Sequence, residues 1–219
     1  IVTQLLVKQG YLALRYHAGL TPDERQANQD YFVRGQVHII VATNAFGMGI
    51  DKADVRFVVH YNMPKDVESY YQEAGRAGRD GKPAECLLLY DKGDVAINTY
   101  LIGHDQPDLE WKDRELKLLD KMITYCNTSD CLRKYLLEYF GERVASNCNN
   151  CGNCSQNKEA TWPQDISCFE IFRFASNRED LIIFENKTSA IFKDYKRIQN
   201  DAKSNLIVTT DTGKVIYGG

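Results

Sequence analysis

Three short runs of apolar residues, set among helix signals and a glycine-bearing loop, limit the fold of this chain more than any other feature. Val37, Ile39, Ile40 and Val41 form the first, Val55, Phe57, Val58 and Val59 the second, and Leu87, Leu88 and Leu89 the third. A strand that is apolar on every residue needs cover on both faces, as in a parallel sheet with helices on each side. The strand–helix alternation therefore predicts an α/β fold built on a parallel sheet with helices on both faces. A shorter apolar-aromatic run from Tyr11 to Tyr16 precedes these three and ends at His17-Ala18-Gly19. Thr21, Pro22 and Glu24 read as an N-cap, a first-turn proline and a capping-box partner. They predict a helix to about Arg34, stopped by Gly35. Pro64 closes the second strand, and a helix is predicted from about Lys65 to Gly81.

From Gly93 onward the pattern turns helical. Leu116, Leu119 and Ile123 recur at three and four, and Ser129 or Asp130 is placed to cap a helix from Cys131 to Phe140 that Gly141 follows. Ser155 to Pro163 is polar and reads as a linker. Beyond it, Ile171–Phe174 and Leu181–Phe184 are apolar, Lys193–Lys203 is charged and helix-like, and Leu206–Val208 reads as a strand. No internal repeat or low-complexity tract is present. The reading divides the chain into 1–92, 93–155 and 156–219, the last a linker and an unassigned region with a faint echo of a winged-helix opening at Asp165-Ile166-Ser167. The chain opens on Ile1, which suggests that it starts inside a longer protein.

Hydrophobic residues at 43% and charged residues at 26% are ordinary globular proportions, so disorder does not explain this chain. No apolar run approaches the ~18 residues of a membrane span, and no membrane partner is expected. The net charge of −3 argues against indiscriminate coating of nucleic acid. A phosphate partner has to be met by a local constellation.

The chain has seven cysteines and no secretory leader in view. Cys148, Cys151 and Cys154 stand three apart, with Cys131 ahead of them. Sulfurs at that spacing pair poorly with each other but converge well on one tetrahedral metal ion, so a metal centre in a reducing, cytosolic compartment is favoured over a disulfide scaffold. On spacing alone Cys126 competes for the first ligand position. Cys86 and Cys168 read as small buried hydrophobes, and the histidines other than His17 read as structural.

Two loops carry further chemistry. In Gln72-Glu73-Ala74-Gly75-Arg76-Ala77-Gly78-Arg79-Asp80-Gly81, Arg76 and Arg79 would share one face of a helix. Two neighbouring guanidiniums repel unless an anion lies between them, and each offers a planar fork to phosphate oxygens. Gly75 and Gly78 cost a helix about 1 kcal/mol each, which makes sense where backbone or ligand comes close. The second loop, Val41 to Lys52, leaves a buried strand at its carboxyl end, where ligands meet open α/β sheets. Thr43 offers a hydroxyl, Gly47 and Gly49 expose backbone N–H groups, and Asp51 could take a ribose hydroxyl, Lys52 or an arginine.

Taken together, the His17–Leu20 turn, the AFGMGIDK phrase, the QEAGRAGRDG phrase and the run CLRKYLLEYFGE ahead of CNNCGNC resemble the second RecA-like motor domain and zinc-binding subdomain of RecQ-family DNA helicases. The resemblance spans about residues 4 to 155. It implies a RecA-like parallel sheet, then a helical zinc-binding subdomain. It makes Arg79 an arginine finger on ATP, Arg76 its partner and Gln72 a polar neighbour of the nucleotide. Gly49 and Asp51 become nucleotide-proximal, and His17, Gly19, Thr43 and Asn44 contact DNA, either a single strand or a duplex junction. Zn2+ would be held by Cys131, Cys148, Cys151 and Cys154, and ATP with Mg2+ mainly by a first RecA-like domain. The implied activity is ATP-driven 3′–5′ DNA unwinding in repair and recombination, in the cytoplasm, at the nucleoid of a bacterium or in a eukaryotic nucleus.

No G-x-x-x-x-G-K-[ST] cradle and no Asp-Glu-x-His box occur in these residues, and Gly213-Lys214 is followed by Val215 where Ser or Thr is needed. Hydrolysis is thus expected only with a second lobe, joined or separate. Two other readings stay open at this point: a zinc-stabilised nucleic-acid-binding module without motor activity, and an RNA helicase lobe. The latter leaves the cysteines unexplained.

Overall fold

A computed structural model of the chain describes residues 2–43, 52–105, 108–155, 179–185 and 214–218. In chain order the elements are α1 (Val2–Lys8), β1 (Ala13–Tyr16), α2 (Pro22–Val33), β2 (Ile39–Ala42), β3 (Phe57–His60), α3 (Val67–Ala74) and β4 (Glu85–Tyr90). Then come α4 (Lys92–Asp105), α5 (Leu109–Asn127), α6 (Leu132–Tyr139), β5 (Leu181–Phe184) and β6 (Lys214–Gly218). The strands form one sheet in the order β1-β2-β5-β3-β4-β6. It is parallel from β1 to β4, and β6 runs antiparallel along β4.

Every residue of β2, β3 and β5 is buried, which accounts for their uninterrupted apolar sequence. Successive side chains point to opposite faces. Ile39, Val41, Phe57, Val59, Leu181 and Ile183 pack with Val2 and Leu6 of α1. Their neighbours Ile40, Ala42, Val58, Ile182 and Phe184 pack with Phe32 of α2. A third cluster joins Leu88 and Tyr90 of β4 to Val67 and Tyr70 of α3, Leu119, Met122 and Tyr125 of α5, and Leu132 of α6. At the start of α2 the capping box is complete: Glu24 N–H donates to Thr21 Oγ1 at 3.2 Å, and Thr21 N–H donates to Glu24 Oε2 at 2.9 Å.

Two expectations are corrected. The helix predicted from Lys65 to Gly81 is α3 alone, capped by Asp66 and ended at Ala74. Gly78 has φ +62° and turns the chain out of helical geometry, so Arg76 and Arg79 lie in turns beyond the helix. Second, α6 is capped by the Cys131 sulfur, which accepts from Lys134 N–H at 3.4 Å, rather than by Ser129 or Asp130.

Within residues 156–219, left unassigned from the sequence, Leu181–Phe184 lies between β2 and β3, with Ile182 in register with Ile40 and Val58. Polar contacts fix both of its ends. The Asp180 carboxylate accepts from Lys52 Nζ at 2.8 Å and meets His38 Nδ1 at 3.0 Å. Its main-chain carbonyl accepts from the N–H groups of Arg56 and Phe57. Burial works against the Lys52 charge, but Asp180 and Asp54 outweigh it and raise its pKa. At the other end the Glu185 carboxylate accepts from Val2 N–H, a negative charge at the amino end of α1. The expected linker beyond Ser155, the segments Ile171–Phe174, Lys193–Lys203 and Leu206–Val208, and Cys168 lie outside the described residues. Among those described, no helix is long and apolar enough to cross a membrane.

Candidate metal centre and arginine turn

The sulfurs of Cys131, Cys148, Cys151 and Cys154 all lie within 4.8 Å of one another. Cys131 and Cys151 Sγ are 3.9 Å apart, close to the ~3.8 Å edge of a tetrahedron with ~2.3 Å zinc–sulfur bonds. The local fold brings them together. Cys131 caps α6 and also accepts from Cys148 N–H at 3.3 Å, while Cys151 Sγ accepts from Leu132 N–H at 3.3 Å. Asn149 takes φ 55°, and Cys148 Sγ accepts from Cys151 N–H at 3.2 Å, which closes the knuckle. Burial opposes ionisation of Cys131, but the N–H groups of Cys148 and Lys134 overcome it and lower its pKa to about 6. Burial, then the facing Cys131 and Cys151 sulfurs, push Cys154 up to about 12. Four sulfurs that give up the first proton readily and hold the last tightly suit a divalent cation, whose charge draws the remaining protons off. The donor set fits Zn2+. Cys126, the rival on spacing, is buried in α5 and is not one of the four.

The arginine turn is held at the amino end of β3. Gly78 N–H donates to Val55 O and Asp80 N–H to Ala53 O, each at 3.0 Å. Arg56 binds Asp80 Oδ1 at 2.6 Å and Pro83 O at 2.9 Å. A Cβ on Gly78 would stand 2.8 Å from Lys82 O. The glycine thus serves a close backbone approach. Within this frame Arg76 is 6% exposed, whereas Arg79 is exposed and donates from Nε to Gly75 O at 3.3 Å. Burial and then the neighbouring Arg79 lower the Arg76 pKa, and Glu73 offsets part of this. Gln72 is exposed on α3.

His17, Gly19 and Thr43 lie at the opposite, carboxyl edge of the strands. His17 follows β1, its Nδ1 accepts from Gly19 N–H at 3.2 Å, and a Cβ on Gly19 would come 3.1 Å from that same nitrogen. Thr43 follows β2 and donates its N–H to Tyr16 O at 3.1 Å, and its Oγ1 is buried without a hydrogen-bond partner among the described residues. His17, Gly19 and Thr43 therefore share one edge and the arginines the other. Asn44, Gly49 and Asp51 lie outside the described residues. Sequence reasoning missed Arg56, which clamps the turn, and the buried pair His60–Glu73, 3.0 Å apart. A lone histidine closing an apolar run gives no signal of the acid it meets thirteen residues later.

The family described as Helicase conserved C-terminal domain matches residues 1–81, and the one described as RecQ zinc-binding matches residues 92–155. The ATP-dependent DNA helicase RecQ of Bacillus subtilis is 48% identical over 146 residues, 67% of this chain and 24% of its own length. The ATP-dependent DNA helicase hus2/rqh1 of Schizosaccharomyces pombe is 45% identical over 175 residues, 78% of this chain and 13% of its own length. The ATP-dependent helicase SGS1 of Saccharomyces cerevisiae is 43% identical over 153 residues, 67% of this chain and 11% of its own length. The chain thus spans a quarter or less of these relatives. Among solved structures, the C-terminal domain of the DEAD-box protein Dbp5 aligns at a TM-score of 0.37 and 24% identity over 54% of this chain and 73% of that one, too loose a match to add to the fold. With the helicase block and the zinc-binding block adjacent and in this order, the chain belongs to the RecQ family of helicases, as its C-terminal region.

Proposed function

We propose that this chain is the second motor lobe and zinc module of an ATP-dependent 3′–5′ DNA helicase that unwinds DNA in repair and recombination, in the nucleoid or nucleus. One observation carries the reading: two guanidiniums three residues apart, in a turn held rigid by Arg56, Gly78 and Asp80, with Arg76 buried beside Arg79. Such a pair offers two planar forks to the oxygens of one anion. A triphosphate bound with Mg2+ by a first RecA-like domain supplies that anion and the bond to be broken. Arg79, exposed and donating from Nε to Gly75 O, is the finger that stabilises charge on the γ-phosphate. Arg76 fixes the partner position, and Gln72 on the last turn of α3 lies beside the nucleotide. Gly49 and Asp51 belong to the same nucleotide-facing set.

His17, Gly19, Thr43 and Asn44 are assigned to the tracking DNA strand. The buried, unpartnered Thr43 hydroxyl supports that assignment, because a phosphate oxygen would satisfy it. The zinc module serves as a structural clamp behind the motor lobe. A binding module without motor activity leaves the arginine turn without a purpose and is not favoured.

The test is Arg79→Ala in the complete helicase. Turnover of ATP should fall ~10³-fold or more while ATP binding persists. Normal hydrolysis by the alanine form would refute the assignment. Thr43→Val should weaken single-strand binding and leave ATPase in the absence of DNA unchanged.

A further inference from the structure

We infer that His60 is a positioning residue for the arginine turn: its hydrogen bond to Glu73 anchors to the sheet the carboxylate that neighbours Arg76. The inference rests on the reading of Arg76 and Arg79 as nucleotide-facing groups.

His60 is the last residue of β3 and is fully buried. Its Nε2 lies 3.0 Å from Glu73 Oε2. Its ring is stacked on Phe184, with centroids 5.2 Å apart and planes at 20°, and tilted against Tyr70 at 5.0 Å. Two aromatic neighbours fix the ring plane, so Nε2 points at one place. Nδ1 is buried with no hydrogen-bond partner among the described residues. An imidazole that leaves one nitrogen buried and unpaired costs more than a phenyl ring of similar size. Packing alone therefore gives no reason for histidine at this position. The reason has to come through Nε2, and its acceptor is a carboxylate. An ionised carboxylate only accepts, so Nε2 carries the proton and Nδ1 is bare when the ring is neutral.

Glu73 is also a near neighbour of Arg76 along the chain. It is 9% exposed and stands three residues before Arg76, where its charge favours the Arg76 guanidinium against burial and against Arg79. The path runs from a rigid, fully buried strand through His60 and Glu73 to Arg76. Freed from His60, the carboxylate has two courses. It can close on Arg76 and compete with phosphate, or turn away and leave two guanidiniums repelling each other. Either course moves an arginine that must meet a phosphate oxygen with sub-ångström accuracy, so the loss falls on the chemical step more than on ATP capture.

The experiment uses the complete helicase. His60→Phe keeps the stacking and removes the donor, His60→Gln restores an N–H donor, and Glu73→Gln removes the charge while keeping the shape. We expect His60→Phe and Glu73→Gln each to lower kcat for ATP about tenfold with KM changed less than about twofold, and their double mutant to be no slower than either alone. His60→Gln should recover most of the lost rate. Wild-type kcat in His60→Phe, a His60→Gln form as slow as the phenylalanine form, or multiplicative losses in the double mutant would each overturn the inference. Should His60→Phe fail to fold, Glu73→Gln decides alone, and wild-type kcat there overturns it. Arg79→Ala separates the two levels. Normal turnover in that variant sinks the arginine reading and this inference with it. Lost turnover there with an unaffected His60→Phe sinks this inference only.

Discussion

The Tyr139 hydroxyl of α6 donates to the Glu68 carboxylate of α3 at 2.5 Å, tying the helix that the metal-site Cys131 caps to the helix that leads into the arginine turn. Burial and the adjacent carboxylate both raise the Tyr139 pKa, so the phenol stays a donor at neutral pH. One residue along, Phe140 packs on Tyr71 of α3 with ring centroids 4.7 Å apart. Lys65, just ahead of α3, meets Glu115 of α5 at 2.8 Å. The two blocks share a core and should lose order together.

Removing the metal tests that coupling. Chelation of Zn2+, or Cys151→Ser, should free the start of α6 and the contacts at its far end. A loss of about 3 kcal/mol would lower the melting temperature by about 10 °C for a chain of this size. A thermal melt with and without chelator checks it, and added Zn2+ should restore the transition in the wild type but not in the serine form.

Gly78→Ala tests the turn itself. Its φ of +62° and the 2.8 Å approach of a Cβ to Lys82 O penalise any side chain. The substitution should cost about 2 kcal/mol or more in urea unfolding. The same change at Gly81, also at positive φ but with open space around its Cβ, should cost less.

Asp94 gives a pH signature. Burial raises its pKa to about 6, although Met63 N–H, Asn62 and Asp91 N–H donate to it. A carboxyl whose pKa is raised on folding favours the folded state while protonated, and loses that contribution as pH climbs from about 4 through about 6. The contribution is up to about 3 kcal/mol. Asp94→Asn should flatten stability against pH across that window, as read from denaturant midpoints at pH 4 and pH 7.

Ile182→Asp tests the strand from the tail. A carboxylate between Ile40 and Val58, in a fully buried position, should cost 4 kcal/mol or more. Near-UV circular dichroism should show the aromatic signal of the sheet lost along with that of the helical region. An unchanged signal would mean that β5 is not seated in the sheet.

Much of this was legible in the residues. The capping box at Thr21 and Glu24, the buried runs of β2, β3 and β4, and the four sulfurs follow from local rules that depend on few neighbours. The end of α3 did not. Gly75 and Gly78 signal a close approach of backbone or ligand but not the helix end, because the bonds from Gly78 to Val55 and from Asp80 to Ala53 that favour a turn come from far along the chain. The place of Leu181–Phe184 was illegible for the same reason. Four apolar residues name a strand but not its neighbours, and Lys52, His38 and Val2 gave no sign that they would hold Asp180 and Glu185. His60 and Glu73 were hidden because each looks ordinary until the other is beside it.

The insertion of β5 has a consequence for how the molecule comes into being. A ribosome delivers β2 and β3 more than a hundred residues before the strand that separates them. Until Phe184 emerges, both present open backbone edges and apolar faces to their surroundings. Emergence of the tail thus completes the first-made part of the sheet, and a nascent chain halted at the metal knuckle would call for a chaperone's protection.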